Sequence, residues 1–155
     1  MWLETRARKR LTKFPFSTDG WGLVVKTFID KTIKPVLIVG GIGTALAGVN
    51  AFLPQFAVDN VQKLEWVPEY TIFVQHWGIM VCLMGVFMVA AAFKVSWRTP
   101  ILLYSLIEKA FMVFLVVTNL GQPYSSGFWV PAAMDAGITV WSLVYFANLR
   151  RNAGS

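Results

Sequence analysis

In the run Leu103 to Val117, LYSLIEKAFMVFLVV, an acid and a base stand side by side in a segment that is otherwise aliphatic and aromatic. Glu108 and Lys109 bring a carboxylate and an ammonium, a combination that can hold a polar headgroup or a quinone carbonyl if neighbouring helices enclose it. Adjacent residues on a helix point about 100° apart, so the two cannot pair ideally with one another and each wants another partner. A second set is His76 with Asp135, flanked by Asn50 and Asn119. A carboxylate beside an imidazole can orient it for proton transfer, and the two carboxamides supply hydrogen bonds. Plainer roles compete with both sets. Lys109 can snorkel toward water while Glu108 bonds Tyr104 or Ser105, and His76, next to Trp77, has the place of an interfacial residue.

Other chemistries lack their parts. The chain has one histidine and one cysteine, Cys82, too few for a four-ligand zinc site, a disulfide or a CxxC pair. Haem within one chain lacks a second histidine, although a dimer or a Met ligand would circumvent that. No G-x-S-x-G occurs, and an aspartyl dyad has no second intramembrane Asp. VLIVGGIGTA resembles a strand entering a glycine-rich dinucleotide turn, but Leu46 holds the third glycine position and no alternation of strands and helices follows. Met80, Met84 and Met88 recur every four positions as adaptable packing. No catalytic residue, metal or obligatory cofactor is assigned; a quinone or a lipid is the ligand class the polar residues would suit.

The elements that must position these groups follow from composition. Of 155 residues, 56% are hydrophobic and only 14% charged, too apolar for an ordinary water-soluble domain. Crossing the hydrocarbon takes about 20 mostly apolar residues, and four runs qualify: 36–53, 72–93, 101–120 and 130–149. The expected fold is all-α, a four-transmembrane-helix bundle. At about 1.5 Å per residue, Glu108 and Lys109 lie roughly 10 to 12 Å into the third span, while Asn50, His76, Asn119 and Asp135 lie within about 8 Å of the opposite boundary. A central site and an outward-facing one are therefore expected. Each central ion costs about 2.5 to 3.5 kcal/mol and each Leu, Ile, Phe or Val returns about 0.3 to 0.6, so the third span roughly breaks even and needs its neighbours.

Charge sets the orientation. Arg6, Arg8, Lys9, Arg10, Lys13, Lys26, Lys31 and Lys34 precede the first span, Lys94 and Arg98 lie between the second and third, and Arg150 and Arg151 follow the fourth. The other two loops hold only Lys63, with Asp59, Glu65 and Glu69 beside it. The positive-inside rule then places both termini in the cytoplasm. A net charge of +6 is what a face against anionic lipid carries and calls for no nucleic acid. Residues 1–34 read as a retained basic tail followed by an amphipathic interfacial helix, with Val24, Val25, Phe28 and Ile29 on one face. Pro35 opens the membrane domain, residues 35–155. In the first span Gly40, Thr44 and Gly48 lie four apart, as do Gly43, Ala47 and Ala51, small residues that let another helix approach closely. Trp66, Tyr70, Tyr124, Phe128 and Trp129 fall at the expected water boundaries.

The stretch from Gln75 to Lys109, QHWGIMVCLMGVFMVAAAFKVSWRTPILLYSLIEK, resembles small bacterial four-helix membrane proteins of the DoxX-like kind. The likeness consists of His76-Trp77-Gly78 opening a span, Ala90-Ala91-Ala92-Phe93 closing it, Arg98 and Pro100 after a short turn, then Glu108-Lys109. It implies a compact bundle in the bacterial inner membrane, in some members an accessory subunit of quinone-linked redox complexes. The cysteines used by some redox members are not matched. The expected role is a non-catalytic subunit of a larger membrane assembly, partnered by lipids and by other membrane subunits or further copies of itself. Alternatives are a lipid or quinone binder in proton-coupled redox chemistry, and a small dimeric transporter.

Overall fold

The computed structural model describes residues 18–153, and among them there is helix and no strand. Helix α1 spans Thr18–Ala45 and passes through a 3-10 turn into α2, Val49–Phe52. The first connection holds α3, Pro54–Phe56, and a π turn, Ala57–Val61. Helix α4 spans Thr71–Phe93, α5 Val95–Thr118 and α6 Trp129–Ala153. Four stretches, Gly22–Phe52, Pro68–Phe93, Val95–Thr118 and Pro123–Arg151, are long and apolar enough to cross a membrane. Even the shortest, at 24 residues, reaches roughly 36 Å as a helix, more than the hydrocarbon thickness.

The distribution of side chains suits lipid as the solvent. Val39, Ile72 and Val130 are 70%, 83% and 82% exposed, whereas Thr44, Ser105, Lys109, Asp135 and Ser142 are buried. In water this arrangement would be inverted; in hydrocarbon the aliphatic groups lose nothing by facing out, and polar groups must find partners inside. The apolar interior is built from Ile33, Leu37, Met88, Ala91, Leu102 and Trp141 among others. Each long helix packs on two others, α1 and α5 both lying between α4 and α6, so the bundle closes into a ring.

The small residues of α1 act within this ring. Side chains added at Gly40 and Gly43 would meet Ile138 and Met134 of α6, whereas additions at Gly41 and Gly48 would meet Gly85 and Cys82 of α4. The expected single stripe of Gly40, Thr44 and Gly48 is thus divided between two neighbours, because 3.6 residues per turn rotates successive glycines onto different faces. Thr44 is buried, and Ala47 is half-buried. The glycine run compared with a dinucleotide turn is helical, in the last turns of α1.

Two boundaries differ from expectation. Helix α1 runs unbroken through Pro35, so residue 34 ends no element. Proline removes a backbone hydrogen bond, but Ile29, Ile33 and Leu37, exposed by only 4%, 6% and 0%, form one continuous buried stripe across it. Thr32 adds a tertiary tie by accepting a 2.9 Å hydrogen bond from the indole of Trp141. Val24 and Phe28, expected on the apolar face with Ile29, are more than half exposed. The basic tail of residues 1–17 lies outside the described residues. The third span begins at Val95 rather than 101, since Lys94 alone separates it from α4.

Arg98 closes that tight corner. Its Nε and Nη2 donate to the carbonyls of Ala91 and Ala92 at 3.2 and 3.1 Å, satisfying acceptors that the end of α4 leaves without helical partners. Arg98→Met is expected to destabilise the detergent-solubilised protein by about 1 to 2 kcal/mol, with Arg98→Lys recovering only part because an ammonium cannot reproduce the fork. Unfolding of both variants against the parent checks this.

An ion cluster between the third and fourth spans

The inward line of α5 is Leu102, Ser105, Lys109 and Val116, at spacings that keep one face toward the bundle. Lys109 therefore enters the core, where it is 1% exposed. On α6 the corresponding buried line is Ala132, Asp135, Ile138 and Ser142, with Asp135 5% exposed. The two meet: Lys109 Nζ donates to Asp135 Oδ1 at 2.7 Å, a short charge-assisted bond that ties the third span to the fourth.

Glu108, one residue before Lys109, points to the edge of the same site. Its Oε2 lies 3.5 Å from Lys109 Nζ, close enough for attraction but without hydrogen-bond geometry, and that buried oxygen has no hydrogen-bond partner among the described residues. Its side chain is 28% exposed, on a helix whose neighbouring Tyr104, Ile107 and Phe111 face outward. Two carboxyl groups thus share one ammonium, and the ammonium is committed to the deeper of them. A fully ionised cluster would carry one negative charge in excess. A neutral one requires an additional proton or a cationic donor from outside the cluster.

The other candidate residues fall elsewhere. His76 is on the exposed side of α4 and makes no hydrogen bond among the described residues, and Asp135 is taken by Lys109. The expected His76–Asp135 pair does not form, because Asp135 faces α5 from within the ring. Asp135 also shares the level of Lys109, so the separation of the acids into a central and an outward site does not hold. Asn50, 3% exposed, donates to Ala47 O at 3.0 Å and accepts from Gln62 Nε2 at 2.8 Å. Gly127 lies directly against the carbonyl of that same Gln62, so Asn50 helps join both loops at this end of the bundle. Asn119 donates to Leu115 O at 2.8 Å and accepts from the Tyr124 hydroxyl at 2.9 Å, closing the end of α5.

Ser105, considered as a partner for Glu108, bonds elsewhere, and sequence reasoning missed the other flanking hydroxyls, Thr139 and Ser142. Ser105 lies one turn from Lys109 and donates to Met88 Sδ at 3.6 Å, while Thr139 and Ser142 follow Asp135 at four and seven residues. Their spacing relative to the ions was the available signal: hydroxyls one or two helical turns from a charge share its face. Gln62 and Gln75, which fasten the first connection and the start of α4 to the end of the first span, were not singled out either.

Chemically, the cluster offers an acceptor rather than a donor. A quinone carbonyl or a phosphate would need the Lys109 ammonium, which is bonded to Asp135 and only 1% exposed, whereas the carboxylate of Glu108 at the edge of the site still wants an N–H or O–H. Among the described residues no three His, Cys, Asp or Glu side chains converge as a metal site would require. No family model, no curated protein and no solved structure matches this chain.

Proposed function

We propose that this four-span membrane protein is a non-catalytic subunit of a larger membrane assembly, and that the α5 surface around Glu108 meets a partner helix inside the bilayer. One observation carries the reading: an acid midway along α5 has a buried oxygen without a hydrogen-bond partner among the described residues and a side chain 28% exposed at the outer face of the bundle. Packing within the chain does not require a carboxylate there, and an intramembrane ionisable group marks function by default. A donor on a neighbouring subunit would balance the second acid of the cluster. The accessory role implied by the likeness to DoxX-like proteins agrees with this. The distribution of Lys and Arg supports a topology with both termini in the cytoplasm, and the likeness to DoxX-like proteins supports a bacterial inner membrane.

Glu108→Leu separates assembly from folding. Removing a central ion and adding a leucine favours insertion of the span by about 3 kcal/mol, so the isolated protein is expected to be as stable as the parent or more so. The large complex seen by native mass spectrometry after mild extraction is expected to disappear, and Glu108→Gln, which keeps an acceptor oxygen, to retain part of it. Unchanged assembly in Glu108→Leu, or a bare parent chain carrying a small-molecule mass, would rule the proposal out.

A further inference from the structure

At the other end of the first span the structure holds a second polar feature that the ion cluster does not use. Where α2 ends, Phe52, Leu53, Phe56, Asp59 and Trp66 line a hollow of about 550 Å³. It is an open depression at the surface rather than an enclosed cavity. Phe52, which ends α2, and Phe56, which ends α3, are 73% and 53% exposed and bring aromatic surface to the boundary of the first span. The walls are held in place by the chain itself. Lys63 adopts a left-handed φ of 58°, the Leu64 N–H returns to Val58 O at 3.0 Å, and the Trp66 N–H donates to Asp59 Oδ1 at 3.0 Å. That last bond fixes one carboxylate oxygen beside the indole residue.

Aromatic walls with a carboxylate among them select cations, the rings through their negative faces and the acid through charge. The surrounding loop has the same sign, with Asp59, Glu65 and Glu69 against Lys63. Gln55 and Asn60 add a carboxamide oxygen each, but with Asp59 as the single carboxylate the side chains of the lining fall short of the six or more oxygen ligands that an ion such as calcium takes. An organic ammonium needs one acid and apolar contact, and both are present. The hollow also lies where the first span leaves the hydrocarbon, with Leu53 on its lining, so a lipid headgroup reaches it without leaving the membrane.

We infer that this hollow binds an organic ammonium group, supplied by the headgroup of an aminophospholipid or by a free amine. The binding is independent of the assembly role of Glu108. The test titrates detergent-purified protein with dihexanoyl phosphatidylethanolamine, dihexanoyl phosphatidylglycerol or ethanolamine, read by native mass spectrometry. Selective retention of the phosphatidylethanolamine is expected. Asp59→Asn keeps an oxygen for the Trp66 N–H and removes the charge; it is expected to weaken binding about tenfold, while Asp59→Glu stays within about threefold of the parent. Phe56→Leu should also weaken it by about threefold or more, through loss of the ring face. Ethanolamine binding on its own would assign the site to free amines, and its absence to the lipid. Equal retention of phosphatidylglycerol, or Asp59→Asn binding as the parent does at unchanged helical content, would overturn the inference.

Discussion

Gly85→Leu is expected to yield no folded bundle, and Gly85→Ala to be destabilised at the upper end of the roughly 1 to 3 kcal/mol that overpacking costs. A methyl group on Gly85 would strike the backbone nitrogen of Ala45 and the carbonyl oxygen of Gly41, and one on Gly41 would come within 2.7 Å of Gly85 O. The obstruction is backbone on both sides, so no rotamer change relieves it and the two helices must separate. Separation propagates, since one turn away Gly48 faces Cys82, and at the far end Gly78 faces Asn50 and Ala51. In lipid this close approach is itself the attraction: burial of apolar surface gains little when the tails are equally apolar, and van der Waals contact between backbones carries the association. Gly137 provides the control. It lies on α6 with open space where a methyl group would stand, so Gly137→Ala is expected to change stability by under about 1 kcal/mol, in the favourable direction of helix propensity. Reversible unfolding in mixed micelles compares the three; equal behaviour of Gly85→Ala and Gly137→Ala would remove the seam between α1 and α4.

That seam shows what was legible in the sequence and what was not. Span number and approximate limits follow from hydropathy, because a long unbroken apolar run can satisfy its backbone in lipid only as a helix, and the four stretches agree. Small residues in the first span announce close packing, but not against which neighbour. Gly40 and Gly41 are adjacent in sequence and serve different helices, and nothing local distinguishes them. The uninterrupted α1 was hidden for a related reason: Pro35 is a strong local break signal, and what overrides it is the tertiary stripe Ile29, Ile33 and Leu37. At the ion cluster, the adjacent pair Glu108-Lys109 could be recognised as unable to satisfy itself, which required a further partner. Asp135 was visible as an intramembrane acid, yet measuring its depth from the expected edge of the fourth span set it apart from Lys109. The apolar stretch extends back to Pro123 through a 3-10 turn, and that added length carries Asp135 to the level of the third span's charges. The hollow beside Trp66 had no sequence signature, since it depends on a π turn and a left-handed lysine whose residues fit many loops.

Lys109→Met is expected to destabilise the bundle by about 3 to 5 kcal/mol, the range found when one member of a buried pair is removed and its partner is left without compensation. Here two acids are left. Asp135 loses its only side-chain hydrogen bond among the described residues, at 2.7 Å, in a position 5% exposed, and Glu108 loses the attraction at 3.5 Å. The pair is not therefore a large net source of stability. Desolvating an ammonium and a carboxylate costs several kcal/mol each, which their attraction roughly offsets. Lys109→Met combined with Asp135→Leu should accordingly recover most of the loss. Neutral hydrogen bonds between membrane helices couple by about 0.6 kcal/mol on average, and a double-mutant cycle on Lys109 and Asp135 is expected to exceed that well, at about 2 kcal/mol or more, because each single variant strands a charge. The same cycle separates the roles of the two acids. Asp135 should couple strongly to Lys109 in the purified protein, while Glu108, attracted to Lys109 but not hydrogen-bonded to it, should couple weakly there. If Glu108 instead couples to Lys109 as strongly as Asp135 does, its carboxylate is spent inside the chain and has nothing left to offer a partner helix.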